Sequence, residues 1–116
     1  MLKGIDPRLN AEVLYALKAM GHGDVLAVVD MNFPAAAIAS KTAYGQLLRM
    51  ENLAAGEALE AILSLMPLDT FVSDFAVRME AAGDASKVAE VQVEAQAAID
   101  AAEGRTRPMV SVGRFV

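Results

Sequence analysis

The chain contains one histidine, His22, within the short run Gly21-His22-Gly23-Asp24. The flanking glycines indicate a tight turn after a helix, where the negative end of the helix dipole favours a protonated imidazole. Histidine exchanges protons near neutral pH, so His22 in this setting can donate and accept a proton in one catalytic cycle. The same pattern also fits a histidine that caps the helix within a glycine-rich turn. Spacing alone leaves both interpretations open.

Two further charged residues stand where ligand contacts are common. Asp30 ends an apolar run, at the C-terminal end of a predicted strand, where open α/β sheets bind ligands. An aspartate at such a position also caps the turn that follows it. Arg114 lies in an otherwise apolar segment, so its guanidinium either pairs with a carboxylate or reaches a ligand. Asp30 and Arg114 are therefore candidate substrate-binding residues beside His22.

The composition argues against several other classes of function. The chain has no cysteine, which excludes a disulfide scaffold, a thiolate nucleophile and a Cys-ligated zinc site. A lone histidine without a second histidine or a cysteine offers too few ligands for zinc, so no metal site is expected. Asp and Glu number 15 against 10 Lys and Arg, giving a formal charge of -5, which disfavours nucleic-acid binding. No signal-peptide pattern or membrane-length apolar run is present, so a soluble cytoplasmic protein is expected.

The elements that must position these residues alternate between helical and strand-like patterns. Helices are predicted over 10–20, 55–66 and 85–103, strands over 25–30, 71–80 and 109–116, a further short strand over 47–50, and irregular structure or a helical turn over 35–46. Gly21 is expected to end the first helix in the left-handed conformation. This alternation predicts one α/β domain over 1–116, a three-layer α/β/α sandwich around a central, mostly parallel or mixed sheet.

The apolar spacing also predicts which faces are buried. The expected buried sets are Val13, Leu14, Leu17 and Met20 in the first helix, Leu59, Ile62, Leu63 and Met66 in the second, Phe75, Val77 and Met79 in the strand that follows, and Val88, Val91, Ala95, Ala98 and Ala102 in the last helix. Aromatic residues make up only 5% of the chain. A core built from such small side chains often depends on a partner subunit.

Taken together, the motifs resemble the fucose mutarotase branch of the fucose mutarotase/ribose pyranase family. The segments that carry the resemblance are, in chain order, 1–5 (MLKGI), 21–24 (GHGD), Asp30 with 33–35 (FPA), 63–69 (LSLMPLD) and 113–115 (GRF). They span essentially the whole chain. The resemblance implies a cofactor-free enzyme that interconverts the anomers of a free monosaccharide such as L-fucose. It implies that His22 is the proton donor and that Asp30 and Arg114 contact the sugar, with Arg114 favouring fucose over ribose.

The resemblance also implies a longer C-terminal part and a larger assembly. Similar proteins continue past the Arg-Phe pair to a further strand with a Tyr-Gly-Asn or Tyr-Ala-Asn triplet that completes the sugar site, so the chain is expected to be short there. Homo-oligomers, commonly decameric rings, are expected on the same ground. Two rival functions remain: a non-catalytic monosaccharide-binding protein linked to sugar uptake, and a purely structural oligomeric subunit. D-Ribose is the alternative substrate.

Overall fold

Four helices and one parallel pair of strands form the part of the chain that the computed structural model describes, residues 2–29, 33–79 and 88–112. The order is α1 (Ala11–Ala19), α2 (Ala35–Ala39), α3 (Ala55–Leu63), β1 (Val77–Met79), α4 (Glu90–Glu103) and β2 (Val110–Val112). The strands β1 and β2 are parallel, with Arg78 opposite Ser111. The α/β prediction and its parallel pairing are therefore confirmed, with two strands in the described sheet.

Helix α1 forms where the sequence predicts it, and Asn10 fixes its start. The Oδ1 atom of Asn10 accepts a hydrogen bond from the amide of Val13 at 2.9 Å. Its Nδ2 atom donates to the carbonyl of Arg49 at 2.7 Å, which ties the helix to the segment 47–50. One side chain thus caps a helix and joins it to a distant part of the chain.

Helices α1 and α3 share the main hydrophobic core. Its fully enclosed members are Leu9, Val13, Ala61 and Ile62, which are at most 6% exposed, and Leu14, Leu17, Leu26, Leu48, Met50 and Met66 pack around them. The buried faces predicted for the first two helices are confirmed in the main. Burial of these aliphatic side chains holds α1 against α3.

Helix α4 packs against α3, and of the seam predicted for it Ala95 and Ala98 are half-buried. Its buried residue is Ile99, which is 2% exposed, whereas Val88 and Val91 of the expected seam are 47% and 45% exposed. A Cβ added at Gly56 would lie 3.2 Å from the Cβ of Glu94, so the small residue lets the two helices approach closely. The helix begins at Glu90, because Ala89 before it is extended; the predicted helix is therefore wrong for residues 88–89, and residues 85–87 lie outside the described residues.

The strand predicted over 25–30 is wrong for residues 25–29, which belong to no ladder. Val25 is 89% exposed, and Val28 and Val29 are each 42% exposed, so the run is not buried on both faces. A run of β-branched apolar residues favours a buried strand, but a strand forms only where neighbouring segments pair with the run and bury it. Asp30, the last residue of the run, lies outside the described residues.

Two other strand predictions need correction. Of the segment 71–80, only Val77–Met79 pairs, and its apolar residues Val77 and Met79 are about half exposed while Arg78 between them is more buried. Residues 47–50 form no ladder; Leu48 and Met50 pack on the core instead. The last strand forms as Val110–Val112, and the rest of that prediction lies outside the described residues.

Segment 35–46 contains the short helix α2, as the helical-turn alternative predicts. Helix α4, the longest helix described, has 14 residues. Within the described ranges, no helix combines the length and the apolar character that crossing a bilayer requires.

Candidate active site

His22 lies in a hydrogen-bonded turn that directly follows α1. The amide of Gly21 donates to the Oδ2 atom of Asp24 at 2.7 Å, and the amide of Asp24 donates to the carbonyl of Gly21 at 3.1 Å. The left-handed residue is Gly23, with φ of 93°, and not Gly21 as predicted. The carboxylate of Asp24 therefore stabilises the turn backbone, and the His22 side chain projects from it with 71% of its surface exposed.

Asp69 is the acidic partner of His22. Its Oδ2 atom lies 3.3 Å from the Nε2 atom of His22, and its side chain is 22% exposed. The Oδ1 atom accepts a hydrogen bond from the amide of Phe71 at 2.7 Å, which closes an Asx-type turn and fixes the carboxylate. A carboxylate at this distance from an imidazole orients the ring and pairs with it when the ring is protonated.

The paired residues are carried by the ends of two packed helices. His22 follows α1, and Asp69 follows α3, two residues after Pro67. Because α1 and α3 share one core, their C-terminal extensions are held at a defined separation. The site is thus built on the most enclosed part of the described chain.

An exposed aromatic ring borders the histidine. The rings of His22 and Phe71 have centroids 6.4 Å apart at an angle of 68°, an edge-to-face contact. Phe71 is 87% exposed. The imidazole, the carboxylate and this apolar ring form an open surface that presents both polar and apolar groups.

Two cavities of the described chain lie away from this pair. One of about 370 Å³ is bordered by Phe33, Leu47 and Arg49 beside α2, and one of about 800 Å³ lies in the groove between α3 and α4. Neither is lined by His22 or Asp69. Both cavities are open, and neither has a histidine in its lining. The histidine–carboxylate pair is therefore the stronger candidate for a site of proton transfer.

Of the three site residues predicted from the sequence, only His22 falls in the described part of the chain. Asp30 and Arg114 lie outside the described residues, so their roles remain predictions. In the described ranges, no cluster of three or more His, Asp or Glu side chains is arranged to hold a metal ion.

Asp69 was missed as a site residue. The sequence shows it after a helix-ending proline, and nothing in its spacing links it to a histidine so far away along the chain. Asp24 is nearer to His22 in sequence, but its carboxylate is bound to the turn backbone. Only the packing of the two helices shows which aspartate meets the imidazole.

A model of the RbsD / FucU transport protein family matches residues 3–115. The chain belongs to this family. Among RbsD / FucU relatives, the human fucose mutarotase is 45% identical over 80 residues, covering 68% of this chain and 50% of the human protein. The L-fucose mutarotase of Haemophilus influenzae (strain 86-028NP) is 34% identical over 115 residues, covering 99% of this chain and 76% of that protein.

The chain spans about half the length of the mammalian relatives it matches. A solved structure covers the same region: the crystal structure of protein Atu2016, described as a candidate sugar binding protein. It superposes with a TM-score of 0.94 at 50% identity, covering 99% of this chain and 76% of that one. The membership and the α/β class predicted from the sequence are thereby confirmed.

Proposed function

We propose that this RbsD / FucU chain is a sugar mutarotase that interconverts the α and β anomers of L-fucose or a related pyranose. The observation that carries the proposal is the contact between the exposed imidazole of His22 and the carboxylate of Asp69. Relatives named fucose mutarotase support the reaction and the sugar. The chemistry needs a single group that gives and regains a proton near neutral pH, and histidine suits that role.

The proposed cycle begins with proton transfer from His22 to the ring oxygen O5. The C1–O5 bond breaks, the anomeric hydroxyl releases its proton to water, and C1 becomes an aldehyde. After rotation about C1–C2, the O5 hydroxyl attacks the other face of C1 and returns its proton to His22, while the carbonyl oxygen takes one from water. General acid–base catalysis of this kind contributes about 10²–10⁴ in rate.

Asp69 assigns the two imidazole nitrogens to different tasks in this proposal. Because its carboxylate lies against Nε2, the Nδ1 atom is the one that exchanges a proton with the sugar. The turn that fixes Asp69 keeps the ring from rotating away from the bound ring oxygen.

The remaining sugar contacts in the proposal come from three sources. Asp30 and Arg114 match the sugar-binding residues of the family that the sequence resembles, and a carboxylate and a guanidinium bind hydroxyl groups through charge-assisted hydrogen bonds. Phe71 offers an exposed ring to an apolar sugar face beside His22. The reaction breaks and reforms one C–O bond with the help of proton transfers and without a net change of oxidation state, so we propose that it uses no cofactor.

We also propose that the protein works in the cytoplasm as a homo-oligomer, with a decameric ring as the expected form. Large apolar side chains on the described surface support an assembly: Tyr15 is 67% exposed and Val25 is 89% exposed. Such side chains are commonly covered by a neighbouring subunit. Light scattering coupled to gel filtration measures the mass of the assembly directly.

The deciding experiment measures exchange between the anomeric proton signals of L-fucose and D-ribose by NMR saturation transfer. The folded wild-type chain should accelerate exchange above buffer, more for L-fucose than for D-ribose. The variant His22→Gln, checked for folding by circular dichroism, should have an enzymatic rate about 10²–10⁴-fold lower than that of the wild type. A folded wild-type chain that gives no more exchange than buffer with either sugar refutes the proposal.

A second candidate is a non-catalytic monosaccharide-binding protein. It is favoured by the description of Atu2016 as a candidate sugar binding protein and by the family's description as transport proteins. In that case L-fucose raises the melting temperature without any faster exchange, and His22→Gln alters the affinity alone. A protein whose melting temperature no sugar changes would instead be a structural subunit.

A further inference from the structure

Arg107 is the buried polar residue of the described chain, with only 8% of its surface exposed. A buried guanidinium is costly unless its donors are satisfied, so its partners indicate what it holds in place. Its Nη1 atom donates to the Oε1 atom of Glu103 at 2.6 Å. Its Cζ atom lies 3.8 Å from the centre of the Phe75 ring, a cation–π contact.

The other end of the guanidinium reaches the site. The Nη2 atom of Arg107 donates to the backbone carbonyl of Asp69 at 2.7 Å. Asp69 in turn contacts His22 through its carboxylate. Arg107 therefore contacts the same residue that contacts the imidazole, through its backbone carbonyl.

Helix α4 holds the backbone of Arg107 on both sides. The amide of Arg107 donates to the Oδ1 atom of Asp100 at 2.9 Å, and its carbonyl accepts from the Nε2 atom of Gln96 at 2.8 Å. Gln96 also accepts from the amide of Met109 at 2.8 Å, which fixes the start of β2. With its backbone anchored in this way, Arg107 gives a stiff link between α4 and the loop of Asp69.

We propose that Arg107 is a positioning residue: it fixes the backbone of Asp69 so that the carboxylate orients His22 for proton transfer. The inference rests on the proposed function for its kinetic consequence, whereas the positioning itself concerns the imidazole alone. Arg107 makes no contact with the imidazole among the described residues, so its effect passes through Asp69. A guanidinium is suited to this task because its planar fork binds Glu103 and the Asp69 carbonyl at once.

The test compares Arg107→Met with Arg8→Met. Arg8, like Arg107, binds two acceptors through its guanidinium, in this case the carboxylates of Asp6 and Glu60. None of its described contacts reaches His22 or Asp69. Arg107→Met should lower kcat for anomer exchange by about ten- to a hundredfold, because small displacements of catalytic groups are costly. KM should change less than about twofold, since Arg107 does not touch the sugar. Arg8→Met should leave both constants unchanged.

The second measurement needs no activity. His22 is the chain's one histidine, so its Hε1 and Hδ2 signals are unambiguous in NMR spectra. Well below the melting temperature and at fixed pH, Arg107→Met should shift these signals, and Arg8→Met should not. If the wild-type chain shows no exchange with any sugar, a shift in Arg107→Met still supports the positioning and only the proposed function fails.

Two milder variants keep the test decisive if Arg107→Met does not fold. Arg107→Lys keeps the positive charge but not the planar fork of donors. Its kcat and its His22 signals should therefore lie between those of a protein in which the Asp69 backbone is held and those of a protein in which it is not. Glu103→Gln weakens the anchor and should shift the signals in the same direction. The inference is overturned if the folded variants have the same His22 signals as the wild type. It is also overturned if the loss of kcat is no larger than the fraction of unfolded protein explains.

Discussion

The Nε2 atom of His22 lies 3.3 Å from the Oδ2 atom of Asp69, although the two residues extend from different helices. Val13 on α1 and Ile62 on α3 belong to the same buried cluster, and both are nearly fully buried. The separation of imidazole and carboxylate therefore depends on how the core packs. A change in that core alters the site without touching either residue.

The charge of Asp69 is tested by Asp69→Asn. Asparagine keeps an oxygen that accepts from the amide of Phe71, so the turn persists while the negative charge beside His22 is lost. We expect kcat for anomer exchange to fall about tenfold or more, and less than in His22→Gln, because the proton donor remains but is less well oriented.

The measurement is saturation transfer on L-fucose at several sugar concentrations. Asp24→Asn is the matched control, since it removes a neighbouring charge and keeps the oxygen that accepts from Gly21. Equal losses in both variants would mean that the summed negative charge matters, and not the contact with the imidazole.

Substitution of Phe71 tests sugar binding without a large change in stability. At 87% exposure its ring contributes little to folding, so Phe71→Ala should change the free energy of unfolding by less than about 0.5 kcal/mol. If the ring packs on the sugar, KM should rise about three- to tenfold, the equivalent of roughly 0.7–1.4 kcal/mol. Val72→Ala, at the adjacent 43% exposed position, should leave KM unchanged. An unaltered KM in Phe71→Ala removes the ring from the proposed site.

The local signals in the sequence are strong enough to place the helices. Asn10 marks the start of α1, and the spacing of Ile62 and Leu63 identifies the buried face of α3, because caps and periodicity act within a few residues. His22 is found by its residue type and its glycine neighbours. These features need no knowledge of the rest of the fold.

Features that depend on distant partners could not be predicted in this way. Val25 has the β-branched character of a buried strand residue, yet it is 89% exposed, because burial depends on which segments lie beside it. Asp69 and Arg107 are ordinary charged residues in the sequence and acquire their roles only when α3 and α4 bring them together. Long-range packing, and not local propensity, selects them.

The core that holds the site should be sensitive to small losses of volume. Ile62 is 4% exposed, and Ile62→Ala should lower the free energy of unfolding by about 3 kcal/mol through lost burial and a residual cavity. Val93→Ala on α4, at a position 57% exposed, should cost less than about 0.5 kcal/mol. Urea unfolding followed by circular dichroism measures both. A loss for Ile62→Ala no larger than that for Val93→Ala would contradict the assignment of the core.

Acid stability is predicted to depend on the pair that precedes α1. Arg8 donates to both carboxylate oxygens of Asp6, at 3.0 Å from Nε and 2.7 Å from Nη2. These side-chain hydrogen bonds, with one from the amide of Arg8, lower the pKa of Asp6 from 3.8 to about 2. Because the folded-state pKa is the lower one, the stabilisation is present above about pH 4 and is lost as pH falls through about 2.

The variant Asp6→Asn isolates this contribution. Its melting temperature should lie below that of the wild type by a constant amount above about pH 4, and the difference should shrink towards zero near pH 2, where Asp6 becomes protonated in the folded protein. The matched control is Glu51→Gln, since the exposed carboxylate of Glu51 has no hydrogen-bond or ion-pair partner among the described residues. Thermal unfolding in steps of about half a pH unit resolves the two curves. A difference for Asp6→Asn that stays constant down to pH 2 would contradict the prediction, because protonation of Asp6 in the wild type removes the same charge that the variant lacks.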